Sequence, residues 1–127
     1  MNKAESVPSG IRLKQLIQSY HTEILDREKS NDRFIHLYNI GTYWVAFERS
    51  ACGLCGLFPK SEFALFRVPG RLEYVVMVSV SESEVVAFAR KHVVRRDELD
   101  YMVLMVSSSL VKEYYKWHAD AVRSVLL

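Results

Sequence analysis

Phe34-Ile35-His36-Leu37-Tyr38-Asn39-Ile40-Gly41-Thr42-Tyr43-Trp44-Val45-Ala46-Phe47 joins an alternating run to an aromatic, apolar one across a glycine. Phe34 to Ile40 alternates apolar and polar side chains, with Phe34, Tyr38 and Ile40 on one face and His36 interrupting it, so the pattern predicts a strand. Gly41 permits backbone angles that a side chain would forbid, and Thr42 can cap a following helix through its hydroxyl. Trp44, Phe47, Ala51 and Leu54 continue at helical spacing, which predicts a helix from about Thr42 to Leu54, frayed by Gly53 and Gly56 and ended by Pro59. Tyr43 and Trp44 would then stand at the lip of a strand-to-helix turn.

Upstream, residues 1–8 are small and polar and are expected to form a flexible end. From Ser9, the apolar residues Ile11, Leu13, Leu16, Ile17, Tyr20, Ile24 and Leu25 recur at steps that place them on one stripe of an amphipathic helix. The polar run Lys29-Ser30-Asn31-Asp32 stops it near Glu28. Downstream, residues 62–68 and 72–80 read as a hairpin turned at Pro69-Gly70-Arg71, and Tyr74-Val75-Val76-Met77-Val78 as a central strand covered on both faces. Ser81-Glu82-Ser83-Glu84 carries a capping-box pattern and opens a helix to about Lys91. Arg95-Arg96-Asp97-Glu98 is expected to be a polar connection, Tyr101 to Val106 a second buried strand, and Ser107-Ser108-Ser109 the start of a helix running toward the C-terminus. The order predicts an α/β (α+β) domain, a mixed β-sheet covered by helices, occupying residues 9–127 as one unit.

The chain has 127 residues, half of them hydrophobic and a quarter charged. That is enough to bury one independent core and too little for two. No apolar run reaches the length of a membrane span, and Met1 to Ser6 lacks the apolar centre of a secretory signal, so the expected compartment is the cytoplasm, with no membrane partner. The formal charge of +2 neither demands nor excludes a polyanion, because nucleic-acid affinity follows the clustering of charge. The clusters are Arg90-Lys91-His92 with Arg95-Arg96, and Arg67 with Arg71 around Pro69-Gly70.

Signals for enzyme chemistry are sparse. Cys52-Gly53-Leu54-Cys55 has redox-pair spacing, but both cysteines fall late in the expected helix rather than at the N-terminus that lowers a thiol pKa. A structural zinc would need two further ligands, and the histidines at 21, 36, 92 and 118 share no ligand spacing with the pair. No phosphate loop, zinc-protease helix or nucleophile elbow occurs. The chain is therefore expected not to be an enzyme and to need no cofactor or metal.

The strand, Gly41, the aromatic pair Tyr43-Trp44 and Phe47 resemble the opening of the mismatch-recognition domain, domain I, of the MutS family of DNA mismatch-repair proteins. In that family a strand runs into Gly-Asp-Phe-Tyr-Glu-Leu-Phe, and the first phenylalanine wedges beside a mispaired base. Aligned on Gly41, that phenylalanine falls on Tyr43, the tyrosine on Trp44, the glutamate on Val45 and the last phenylalanine on Phe47. Thr42 replaces the family's acid, and Val45 lacks the glutamate's hydrogen bond to the base. The resemblance spans residues 34 to about 106 and implies a MutS N-terminal domain-like fold with an extra C-terminal helix. It also implies a stand-alone DNA- or RNA-binding accessory protein. Small MutS-like proteins of this kind occur beside reverse transcriptases in diversity-generating retroelements, which makes a reverse transcriptase a candidate partner.

The nucleic-acid site expected on these grounds is Tyr43 and Trp44 for stacking or wedging, with Arg67, Arg71, Lys91, Arg95 and Arg96 for the phosphate backbone. A different class of function rests on the last helix, where Tyr114, Tyr115 and Trp117 span more than one side. An aromatic left outward there would suit a protein partner or a second copy of the chain, a homo-oligomer, without any nucleic acid.

Overall fold

β1 (Phe34–Asn39) does not lead into a helix. The structure, a computed structural model, describes residues 9–68, 70–90, 94–97, 100–105 and 113–126. In it Gly41, at φ 115°, reverses the chain into β2 (Tyr43–Phe47), which pairs antiparallel with β1. Ile40 N–H donates to the Tyr43 carbonyl at 2.9 Å and Gly41 N–H to the Asn39 side chain at 2.8 Å, which closes the turn. The helix expected from Thr42 starts only at Glu48, as α2 (Glu48–Leu57). Tyr43 to Phe47 is apolar throughout because a central strand is covered on both faces, and such a run fits a buried helix equally well by periodicity.

The remaining elements are α1 (Ser9–Glu28), β3 (Glu62–Phe66), β4 (Val75–Ser81), α3 (Glu82–Ala89), β5 (Val94–Asp97), β6 (Tyr101–Met105) and α4 (Tyr114–Leu126). The six strands form one sheet in the order β3-β4-β2-β1-β6-β5. Helices and strands thus combine in an α+β domain. All described strand pairs are antiparallel, so the parallel pairs that a mixed sheet implies are not among them. The expected hairpin is present as β3 and β4. The N-cap half of the expected capping box forms: Ser81 Oγ accepts from Glu84 N–H at 3.4 Å ahead of α3, and the Glu84 carboxylate meets the Ser81 hydroxyl at 3.3 Å. β5 takes the place of the expected polar connection, its charges suiting an edge position in the described sheet. The expected flexible end at 1–8, Pro69, Lys91, Val106 and the serines 107–109 lie outside the described residues.

Strand alternation sorts the core into two layers. Ile35 and Leu37 of β1, Trp44 and Ala46 of β2, Val78 and Val80 of β4, and Met102 and Leu104 of β6 pack against Ala51 and Leu54 of α2 and Val85 of α3, with Trp117 of α4 alongside. Tyr38, Val45, Phe47, Val75 and Met77 face the other way and pack under Ile24 and Leu25 of α1. Among the described residues three helices cover one face of the sheet and α1 covers the other. A single helix is too narrow to cover all of it, which leaves a cleft along β1 and β6.

Candidate nucleic-acid interface

Tyr43 leads β2 out of the Gly41 bend and is 44% exposed. By alternation it lies on the α1 face of the sheet, as do Val45 and Phe47. Trp44 does not belong to the interface. It points through the sheet, is 4% exposed in the three-helix layer, and its indole N–H meets no acceptor among the described residues. Val45, at the position of the family's glutamate, is fully buried. Two acids flank the bend: Glu82 N–H donates to the Thr42 carbonyl at 2.9 Å, and Asn39 N–H to the Asp100 carbonyl at 3.0 Å.

The expected cations do not assemble around Tyr43. Tyr43 pairs with Ser81 and Glu62 with Ser79 at one end of the sheet, while Phe47 pairs with Met77 and Phe66 with Val75 at the other. Arg67 follows Phe66 at that far end, where its guanidinium lies 4.7 Å over the Tyr74 ring and donates to the Tyr74 hydroxyl at 3.1 Å. Arg71 is exposed nearby. Arg95 and Arg96 belong to β5, at the opposite sheet edge from β3, with Arg96 in register with Val103. Lys91 lies outside the described residues.

What the fold does bring to the Tyr43 end is a cleft of about 410 Å³ between α1 and the β1–β6 pair. Arg12, Leu16, Ser19, Tyr20, Glu23 and Arg27 recur along one stripe of α1 and line it from above, with Tyr38, Asn39, Asp100 and Tyr101 below. The Arg27 guanidinium donates to the Tyr38 hydroxyl at 3.0 Å and lies 4.9 Å over the Tyr101 ring. Tyr101 and His36 lie side by side with parallel ring planes, centroids 6.1 Å apart, and share a 2.8 Å hydrogen bond between the Tyr101 hydroxyl and His36 Nδ1. Burial, and secondarily the Arg27 charge, push His36 down to about 4, so its ring is neutral at pH 7. Burial raises Tyr38 to about 12 despite the Arg27 hydrogen bond. The result is a fixed aromatic floor with one guanidinium on top. Sequence reasoning noticed His36 as the polar interruption of β1 but had no means of pairing it with Tyr101.

A second polar centre sits where β2 becomes α2. Glu48 adopts φ 52°, a conformation unfavourable for a residue with a side chain. Its carboxylate accepts from Val76 N–H at 2.8 Å and from the Tyr114 hydroxyl at 2.7 Å, with His118 Nε2 at 3.2 Å. Burial and the Glu48 contact push the Tyr114 hydroxyl pKa far up. Beside it Glu28, 3% exposed, accepts from Ser50 N–H at 2.7 Å and Ser50 Oγ at 2.6 Å. Burial outweighs these donors and raises Glu28 to about 7. The two carboxylates tie α1, α2 and α4 together.

On α4, Tyr114 is buried and Trp117 packs against Phe63. Only Tyr115 of the three aromatics faces outward, 76% exposed beneath the Arg49 guanidinium. Cys52 and Cys55 lie in α2, and burial pushes Cys52 up to about 11, the opposite of a reactive thiolate. Among the described residues no group of three or more His, Cys, Asp or Glu side chains is placed to hold a metal ion, and no helix is long and apolar enough to cross a membrane. No protein-family model, no curated protein and no solved structure matches this chain.

Proposed function

We propose that the chain is a cytoplasmic nucleic-acid-binding accessory domain, of the kind that the MutS mismatch-recognition domain resembles, acting on unpaired or distorted DNA or RNA beside a reverse transcriptase. One observation carries this reading. The exposed ring of Tyr43 lies on the same sheet face, and at the same end, as the cleft where Arg27 stacks over Tyr101. Aromatic and guanidinium planes together suit the faces of unstacked bases, which all four bases possess. Arg12 and Arg27 of α1 supply the backbone attraction there, in place of the distant Arg67 and Arg71. Val45 is buried and offers no hydrogen bond, so the Tyr43 contact itself carries little base specificity.

Titration of fluorescent single strands, mismatched duplexes and RNA hairpins at low and moderate salt tests the proposal. Single strands bind most tightly, and affinity falls as salt rises. Equal affinity of Tyr43→Ala and the native protein would remove the stacking role, and no binding at low salt would end the reading.

The outward Tyr115 favours a second use, as one aromatic contact for a protein partner or another copy. Sedimentation separates the two: a stable dimer without nucleic-acid affinity supports the protein-contact role.

A further inference from the structure

Resting on the nucleic-acid reading above, we propose that the cleft between α1 and β1–β6 holds one guanine base of an unpaired strand, with Glu23 reading its Watson–Crick edge. The cavity, about 410 Å³, falls within the usual range for small-molecule sites. Tyr20 and Arg27 both line it and stand two helical turns apart on α1, about 10 Å along the axis, which leaves room for a flat ring between them. Tyr20 is 52% exposed and so is free to close over a ring. Arg27 is held in place from beneath by Tyr38 and Tyr101. A base entering the cleft therefore meets a prearranged plane rather than one it must order.

Glu23 lies between Tyr20 and Arg27 on the same stripe, close enough for its charge to act on the guanidinium. A carboxylate has only acceptors to offer, which decides the base. Guanine presents two adjacent donors, N1–H and the N2 amino group, and can bond both carboxylate oxygens in parallel. Adenine and cytosine present one amino group beside a ring nitrogen that would face an oxygen. Thymine and uracil present one N–H between two carbonyls. Asp100, on the opposite wall, adds a second acid that disfavours bases rich in acceptors.

The test uses the whole chain with four labelled octamers, seven thymidines carrying G, A, C or T at the centre, and free guanosine monophosphate followed by amide NMR. The guanine octamer is expected to bind roughly tenfold tighter than the others, the discrimination typical of a two-bond base contact. Glu23→Gln should abolish that preference while binding the all-thymidine octamer at least as well, because removing a negative charge does not weaken phosphate attraction. A merely destabilised protein would lose both. Arg27→Lys, which keeps the charge but not the plane, should lower affinity for the guanine octamer most. Octamers that bind equally whatever the central base, or a preference that survives Glu23→Gln, would overturn the guanine site and leave strand binding intact. Guanosine monophosphate shifting Tyr20 and Tyr101 amides, with no octamer bound, would support the base site for a free nucleotide and end the strand reading. No binding of any probe overturns both.

Discussion

Tyr43 and Trp44 are neighbours in sequence and lie on opposite faces of one sheet, 44% and 4% exposed. Their substitution should separate function from folding. Tyr43→Ala is expected to leave stability within about 0.5 kcal/mol of native while costing roughly tenfold in single-strand affinity. Trp44→Ala should cost about 3–5 kcal/mol by emptying the core. Trp44→Phe should cost far less, about 1 kcal/mol, since it also deletes an indole N–H that has no acceptor among the described residues. Urea denaturation and fluorescence anisotropy on the three variants check this.

The placement of the arginines predicts a contrast in salt dependence. Arg12→Ala and Arg27→Ala should each reduce the slope of log affinity against log salt by about one. Arg67→Ala with Arg71→Ala should leave it unchanged, because those side chains lie at the other end of the sheet. A slope altered by the second pair would move the interface.

Glu48 combines an unfavourable φ of 52° with hydrogen bonds from Val76 and Tyr114 and a contact to His118. Both Glu48→Ala and Glu48→Gly lose those side-chain contacts, but only glycine accepts the backbone angle freely. Glu48→Gly is therefore expected to be the more stable of the two by about 1 kcal/mol. Both should speed hydrogen exchange in α4, whose Tyr114 and His118 lose their anchor. Equal stability of the two variants would mean that the backbone relaxes.

Two buried groups give opposing pH dependences. Folding raises Glu28 from 4.5 to about 7, so the native state keeps a proton that the unfolded chain releases, and stability falls as pH rises across that window. Folding lowers His36 from 6.5 to about 4, so the unfolded chain takes up a proton that the native state refuses, and stability falls as pH drops across that window. Between pH 4.5 and 6.5 the two slopes oppose each other. Glu28→Gln should unmask a stability that rises with pH, and His36→Gln one that declines by on the order of 1 kcal/mol per pH unit. Thermal melts from pH 4 to 8 read both directions.

The elements that were legible from residues alone are those whose signal is local. α1 shows its apolar stripe from Leu13 to Leu25, though Ile11 and Tyr20 of the expected stripe stay exposed, α3 its Ser81–Glu84 cap, and β1 its alternation, because each pattern arises within one or two turns or a few alternations of the chain. From periodicity alone β2 reads as helix. Tyr43 to Phe47 is apolar on both sides, and only its pairing with β1 and β4 distinguishes strand from helix. β5 reads as loop for the converse reason: Arg95-Arg96-Asp97 has a polarity that an edge strand tolerates.

The α+β composition, the bend at Gly41 and the aromatic pair beside it are written in local residue order, since periodicity, glycine freedom and side-chain chemistry are properties of adjacent residues. Which ring of that pair faces water, which arginines share its face, and the gathering of Arg27, Tyr38, Tyr101 and His36 into one cluster emerge from the fold. Those facts depend on strand order and on where a lone helix crosses the sheet. Both are set by packing between segments distant in sequence, as in the 65-residue separation of His36 and Tyr101.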